Sequence, residues 1–391
     1  MSSANTLTGL IPVLYESLDV VSRELVGFIP AVSIDASAEA AALNQTIRVP
    51  MAPASSAVSI TPANVAPDSG GQVIGYTDIT ISKQYSVPVQ WTGDEKKSLA
   101  QHGNNVVRDQ FSQAMRTLTN LIEADLAGLY TYASRAYGTA GTAPFGSSLN
   151  DAAQVGKILD DNGCPDDGQR KIVLGTAANV NLLGLSNLNT VYASGSDATL
   201  RRGIIPDIFG FNIGKSAAIK AHTKGTGTGY VIVAAGEDAG QTTISMDGGN
   251  SGTIKAGDIV TFGTGGGSGT GLDFDTKYVV RADGAAAAAK DIVLNAPGLR
   301  VARVNDDACT VGSSYTANMA FHKSSIQLVT RAPMMPEGGD SADDIIMITD
   351  PVSGLTFQIA MYRQYRQVHY EIGIAWGFAA IKPEHIALII G

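Results

Sequence analysis

The stretch that most invites a chemical reading is Gly210 to Ser216, GFNIGKS, where glycine, lysine and serine stand close together. A phosphate-cradling loop needs the spacing G-x-x-x-x-G-K, so that successive backbone amides wrap the anion. Here only three residues separate Gly210 from Gly214, and no Mg2+-binding aspartate strand stands out downstream. The run GTGGGSGTG, 263–271, carries neither a dinucleotide fingerprint nor a nucleophile elbow, because the residue two after Ser268 is Thr270 rather than glycine. It reads as a flexible loop. The histidines at 102, 222, 322, 369 and 385 are scattered singly, and none pairs with another at metal-ligand spacing. Asp160-Asp161 and Asp166-Asp167 flank a helix end and a turn without the order of a calcium loop, and Asp273 with Asp275 is a weak cation signal. Cys164 and Cys309 are too few and too far apart for a disulfide framework, and read as free thiols in a reducing cytoplasm. No catalytic, cofactor-binding or metal-binding residue is therefore nominated, and the chain is not expected to be an enzyme.

Composition points the same way. The 391 residues suggest about two or three domains. Apolar residues at 44% make a buried core expected, while 44 glycines and 6% aromatics favour many turns around a β-rich part. The formal net charge is -9, and the longest basic clusters are Lys96-Lys97 and Arg201-Arg202. Tight binding of nucleic acid over a large area is disfavoured by that balance. No secretory signal is read at the N-terminus, where Glu16, Asp19, Arg23 and Glu24 break the apolar stretch. The richest apolar run, Ile372 to Ile381, is far short of the ~18 residues a membrane helix needs.

The elements around these residues follow from periodicity. Gly103 to Tyr137 carries Val107, Phe111, Met115, Leu118, Leu121, Ile122, Leu126, Leu129 and Ala133 at gaps that share a helix face. Unbroken, that helix would span about 50 Å. Upstream, residues 1–44 hold a short amphipathic helix whose face is Ile11, Leu14, Leu18, Val21 and Leu25, stopped by Gly27 and Pro30; 35–44 is helix or arm. Residues 45–92 read as two long strands, TIRVPM and ITISKQYSVPVQW, around a tip poor in large side chains. Ile79, Ile81, Lys83, Tyr85, Val87 and Val89 alternate on one side of the second strand. Such a ribbon buries no core of its own and would order against another subunit. TGDEKKSL, 92–99, reads as a capped turn into the long helix, and 138–149 as a linker, so 93–149 forms one region. Residues 150–222 look α/β, with a helix ending at Asn162-Gly163, the strand RKIVLG, a helix capped by Thr176, and a further strand or two. In 223–319, six short runs (YVIVAA, TTISM, DIVTF, KYVVRA, KDIVLN and LRVARV) read as a small antiparallel barrel inserted into that α/β part. Residues 320–391 return to strands, with PMMPEGGDSAD as an exposed loop.

This order resembles the major capsid protein of tailed phages with the Hong Kong 97 fold, and more narrowly the coat-protein family of the Salmonella short-tailed phage, which carries an insertion domain. QTIRVPM at 45–51 resembles the strand entering that family's extended loop, and DITISKQYSVPVQWTGDEKKSL at 78–99 the returning strand and the turn into its spine helix. GTIKAGDIVTF at 252–262 resembles a strand of the insertion domain, and SSIQLVTRAPM at 324–334 the strand leaving it. YEIGIAWGFAAIKPEHIALIIG at 370–391 resembles the C-terminal signature. The resemblance covers nearly the whole chain through degenerate motifs.

The resemblance implies an α+β fold with an N-terminal arm, extended loop, long spine helix, peripheral and axial domains, and an inserted barrel. It implies a coat subunit that self-assembles into pentamers and hexamers of an icosahedral head, first as a procapsid in the host cytoplasm and then as the virion capsid. A scaffolding protein and a portal are the implied partners, with a decoration protein as an optional one. Double-stranded DNA would be enclosed without specific binding, which suits the acidic balance. No Lys, Asn and Glu trio for an intersubunit isopeptide crosslink is placed, and the initiating methionine argues against removal of an N-terminal segment. Two other readings compete: an encapsulin-like cellular shell with the same fold, disfavoured by the insert and arm, and a β-rich carbohydrate-binding protein. The latter is disfavoured by only two tryptophans, Trp91 and Trp376, and by the lack of paired carboxylates.

Overall fold

The computed structural model describes residues 10–24, 27–51, 62, 73–100, 105–190, 201–203, 205, 207–263, 276–351 and 353–391. Most of the ribbon tip, the serine-glycine run beyond Gly263, Asp273, Asp275 and His102 lie outside the described residues. In chain order, the first half holds α1 (Ile11–Glu24), β1 (Ser33–Ala41), β2 (Thr46–Met51), β3 (Gly75–Thr80), β4 (Lys83–Thr92), α2 (Gly93–Ala100), α3 (Asn105–Ala127), β5 (Arg135–Gly138), α4 (Asn150–Asp161), β6 (Arg170–Leu174), α5 (Thr176–Gly184), α6 (Ser186–Asn189) and β7 (Phe211–Lys215). The second half is almost all strand: β8 (Ala221–His222), β9 (Tyr230–Ile232), β10 (Thr243–Asp247), β11 (Ile259–Phe262), β12 (Lys277–Val279), β13 (Lys290–Val293), β14 (Ala308–Val311), β15 (Tyr315–His322), β16 (Ile326–Pro333), β17 (Asp344–Thr349), β18 (Thr356–Gln364), β19 (Gln367–Ala380) and β20 (Ile386–Ile390).

The described strands form three sheets. One has six strands and is built on β19. β4 pairs with β19 from Gln367 to Trp376, while β18 and β16 pair with it over Gln367–Gly373 and Ala375–Ala380. Residues that pair with both β4 and β18 must have those strands on opposite sides, so β4 owns one edge of β19 and β18 and β16 share the other. β1, alanine-rich and open between helix and arm from its sequence, is a strand because it docks in parallel on β16. Tertiary pairing overrides its weak strand propensity. The second sheet runs β13-β10-β9-β14-β11-β12-β5-β20-β15-β6-β7. Its first six strands pair antiparallel, and the bridge Val280–Leu294 closes them into a ring. Tyr230, Ile232, Ile244, Val260, Phe262 and Tyr278 fill the inside of that ring. The third sheet is the two-stranded ribbon of β2 and β3.

α3 lays Phe111, Met115, Leu118, Ile122 and Leu126, all fully buried, over the six-stranded sheet, with α1 packed beside it through Leu14, Leu18 and Val21. Trp91, Phe111 and Tyr370 meet edge to face at centroid distances of 5.4 to 5.7 Å. Polar contacts set the register of this packing. The Asp125 carboxylate accepts from Lys83 Nζ at 2.6 Å and from Trp376 Nε1 at 2.9 Å, joining α3 to two strands at once. Glu123 accepts from the amides of Phe28 and Ile29 at 2.7 and 3.0 Å, capping the short 3-10 helix Ile29–Ala31. Gly27 must lack a side chain there, since a Cβ would fall 1.8 Å from Glu123 Oε1.

Several expectations need correction. The helix expected over 103–137 ends at Ala127, so it spans about 35 Å, and Leu121 is 40% exposed, off the buried face. Gly128–Tyr132 tightens into 3-10 geometry and the chain then becomes β5. Beyond the helix the backbone groups find partners elsewhere: Asn295 Nδ2 donates to the Thr131 and Ala133 carbonyls at 2.8 Å, and the Ser134 amide donates to the Ile386 carbonyl at 2.9 Å. The single strand expected over 79–91 breaks after Thr80, because Ile79 and Ile81 turn into a small core with Ala41, Val329 and Ala375, and β4 leaves the ribbon for β19. Thr176 is the first residue of α5 and makes no cap; Gly175 holds the cap position. LRVARV, 299–304, is no strand: it joins the ring by the bridge Glu237–Arg303 and packs Leu299 into the ring's core, and β14 takes the sixth place. The Asn162-Gly163 stop does form, with Gly163 at φ +72 and the Cys164 amide reaching the Leu159 oxygen at 2.9 Å. Thr92 and Glu95 cap α2 reciprocally, Thr92 Oγ1 accepting from the Glu95 amide and the Glu95 carboxylate from the Thr92 amide.

Asp125→Ala should destabilise the fold by about 2–3 kcal/mol, because the fully buried Trp376 indole loses its acceptor. Asp125→Asn, which keeps a carbonyl acceptor, should cost less; urea unfolding followed by tryptophan fluorescence compares the two.

Candidate functional site

Among the described residues, several groups that could do chemistry instead hold the fold together. GFNIGKS forms a turn, with Phe209 and Gly210 at φ 49 and +78, and then β7, which pairs in parallel with β6. A phosphate loop runs strand, loop, helix; here the lysine closes a strand and the Ser216 amide binds the Leu174 carbonyl. Three of the four aspartates around the end of α4 have close basic partners. Asp160 accepts from Arg170 at 2.7 Å, Asp161 lies between Arg300 and Arg135, and Asp167 binds His322 at 3.0 Å. The His322 ring and the Gln169 amide hold the Asp167 carboxyl below the usual range. Among the described residues, no group of three or more His, Cys, Asp or Glu side chains is arranged to hold a metal ion.

One cluster resembles catalytic machinery and was not legible in the sequence. His222 Nε2 lies 2.8 Å from Asp258 Oδ1, and His222 Nδ1 lies 2.9 Å from the Tyr130 hydroxyl. The carboxylate can only accept, so Nε2 carries the proton and Nδ1 accepts from Tyr130. Asp258 also accepts from the Gly225 and Lys255 amides, at 3.1 and 2.7 Å. Tyr315 lies against the His222 ring, donates to the Gly257 carbonyl, and is pushed above the ordinary tyrosine range by burial. Asp258, His222 and Tyr315 are all buried, so no substrate reaches them. The cluster sits where the chain enters the six-stranded ring after β8 and leaves it into β15, and it ties the ring to the body through Tyr130. No sequence signal marked it, because its members lie far apart in the chain.

The two thiols sit in separate cores, Cys164 among Leu159, Phe211 and Ile172, and Cys309 inside the ring. Burial pushes the Cys309 thiol up to about 12.

What remains open is surface. The β2–β3 ribbon pairs Thr46–Met51 with Gly75–Thr80 and packs on the body through Ile79 and Ile81 at its root. Toward its far end Val73, Ile74 and Tyr76 are 83%, 68% and 57% exposed. Arg48 stacks 4.1 Å over the Tyr76 ring and pairs with Asp78, which stiffens the strand without covering it. Leu43, Tyr85, Met334 and Tyr365 add further exposed apolar area on or near the six-stranded sheet. Among the described residues, no helix is long and apolar enough to cross a membrane.

No family model matches the chain, and no curated protein matches it. Among solved structures, it is similar to the capsid of the cyanophage P-SCSP1u, at 11% identity over 92% of this chain and 86% of that one, with a TM-score of 0.45. It is similar to the mature capsid of bacteriophage PhiM1, at 11% identity over 92% and 85%, TM-score 0.41. It is also similar to a virus-like particle from Pyrococcus furiosus, at 8% identity over 96% and 97%, TM-score 0.40. Scores this low do not by themselves place the chain in a family.

Asp258→Ala should free three donors, two of them buried, and deuterium uptake should rise across β9–β14 while β19 stays protected, as read by hydrogen-exchange mass spectrometry. A maleimide at pH 7 should leave Cys309 unlabelled in the native protein and label it fully in denaturant, since thiolate is scarce when the pKa is raised.

Proposed function

We propose that this chain is the major capsid protein of a tailed phage, a structural subunit that builds a closed shell around double-stranded DNA and carries no catalytic activity of its own. The observation that carries this reading is the ribbon. A two-stranded sheet is marginal in water, and this one exposes a valine, an isoleucine and a tyrosine at its outer end. Exposed apolar side chains grouped in this way suit a surface that a second subunit covers. The element order adds support: arm, ribbon, buried long helix, α/β part, strand ring and closing strands follow the Hong Kong 97 order that the sequence motifs resemble.

In this reading 1–44 is the arm, 45–92 the extended loop, and 93–149 the spine helix with part of the peripheral domain. Residues 150–222 begin the axial domain, 223–319 form the insertion domain, and 320–391 close the axial and peripheral domains. The boundary at 319 falls inside β15, so the insert is better ended before Tyr315. Pentamers and hexamers of the chain would tile an icosahedral shell, assembled as a procapsid in the host cytoplasm with a scaffolding protein and a portal. The net charge of -9 suits a container that encloses DNA without gripping it.

The chain expressed alone should elute with large particles on a sizing column and show closed shells, tubes or spirals by negative-stain electron microscopy. Replacing 46–80 with a short glycine-serine link should abolish those particles while leaving the circular dichroism of the body unchanged. A wild-type chain that stays monomeric, even with a scaffold partner, would overturn the reading.

A further inference from the structure

The outer face of the six-stranded sheet carries a groove of about 450 Å3, walled on one side by the loop after β16. Its floor is a row of in-register residues: Ser86 on β4, Gly373 on β19 and Gln358 on β18. A Cβ at Gly373 would lie 3.2 Å from the Pro333 ring, so the glycine leaves the floor open. Gln358 is only 5% exposed, and its Oε1 is buried without a hydrogen-bond partner among the described residues. An unmade acceptor of this kind costs about 1–3 kcal/mol, and calls for a donor from outside. Asp340 and Glu371 line the same groove. The Tyr362 hydroxyl and the Ser341 amide hold the Asp340 carboxyl below its usual range, so it stays ionised. Met334, 60% exposed, forms an apolar rim. The groove therefore asks for a flat apolar group joined to a cationic, multi-donor head.

This chain displays such a group. The turn between β18 and β19 is Tyr365-Arg366, with Tyr365 89% exposed. Arg366 is held at φ 58, and its carbonyl accepts from the Gly93 amide at 3.2 Å, which fixes the tip. Its guanidinium has no partner among the described residues. Tip and groove floor lie seven residues apart on β18, roughly 24 Å at the rise of a strand, so a copy cannot fill its own groove.

Resting on the shell reading above, we propose that copies of this chain dock head to tail, the Tyr365-Arg366 tip of one copy seated in the Ser86–Gly373–Gln358 groove of the next. The tyrosine ring packs on the methionine rim. The guanidinium donates to Gln358 Oε1 and pairs with the carboxylates of Asp340 and Glu371. A contact between two different patches is heterologous and closes into rings when the rotation between copies closes. From 51 to 75 the ribbon carries no lysine or arginine, and the nearest, Arg48, is already paired with Asp78.

The test mixes two single variants, Arg366→Cys and Asp340→Cys, under assembly conditions with mild oxidation, and reads a non-reducing gel. Both native thiols are buried, so background coupling is low. A mixed disulfide dimer, absent from either variant alone, is the expected result. In a second measurement, Arg366→Glu should raise the concentration threshold for assembly at least tenfold, and Arg366→Glu with Glu371→Arg should recover most of it. Shells that form without the mixed dimer, and with no charge-swap rescue, overturn this docking while leaving the shell reading intact. Coupling of Asp340→Cys to Tyr76→Cys instead would give the groove to the ribbon and equally overturn it. A wild-type chain that never assembles removes both readings.

Discussion

The fold depends on one act of burial, the apolar stripe of α3 pressed onto the sheet built around β19. Five fully buried side chains of that helix, and the Trp91–Phe111–Tyr370 contact beneath them, form the largest continuous core in the described chain. Area of this kind is strong but not directional. Direction comes from a few polar groups: Asp125 to Lys83 and Trp376, Gln110 to the Trp91 indole at 2.6 Å, and Glu123 to the 3-10 helix. With the helix pinned, β4 is pinned, and with β4 the point where the ribbon leaves the body.

The division between inward and outward chemistry follows. Arginine, aspartate and histidine groups that could have formed a reactive site are satisfied internally, around α4 and at the root of the strand ring. Apolar side chains that a monomer would hide stay in the open, on the ribbon and around the sheet groove. Tyr76, Tyr85, Tyr365 and Met334 are among those that face water, and exposed apolar groups of this size suit contact with other surfaces.

How much of this could be read from the sequence varies with the range of the forces involved. The buried face of α3, the Thr92–Glu95 cap, the Asn162-Gly163 stop and the closing strands were legible, because each is set by residues a few positions apart. The end of α3 was not, since the backbone beyond it is held by Asn295, more than a hundred and fifty positions away, which donates to the carbonyls of Thr131 and Ala133. β1 and β15 were missed for a similar reason: SIDASAEAA and YTANMAFH have unremarkable strand propensity and are strands because β16, β20 and β6 are beside them. The His222–Asp258–Tyr130 cluster has no local signature at all. GFNIGKS departs from the phosphate-loop spacing in the sequence, and in the fold it is a turn and a strand.

The register of β4 along β19 has a mechanical meaning. The ribbon continues directly into the start of β4, and ten residue pairs, Lys83–Trp376 through Thr92–Gln367, couple that strand to its neighbour. Gly377 lets the Thr80 carbonyl approach where a side chain would collide, so the traction point lies flush with the strand pair. A pull directed along β4 then loads those pairs together, in shear, whereas a pull across the sheet would open them one at a time, like a zip. The first geometry resists far larger forces than the second. The sheet is thus built as a tensile member, and stress that enters through the ribbon is carried into the body without unravelling its edge.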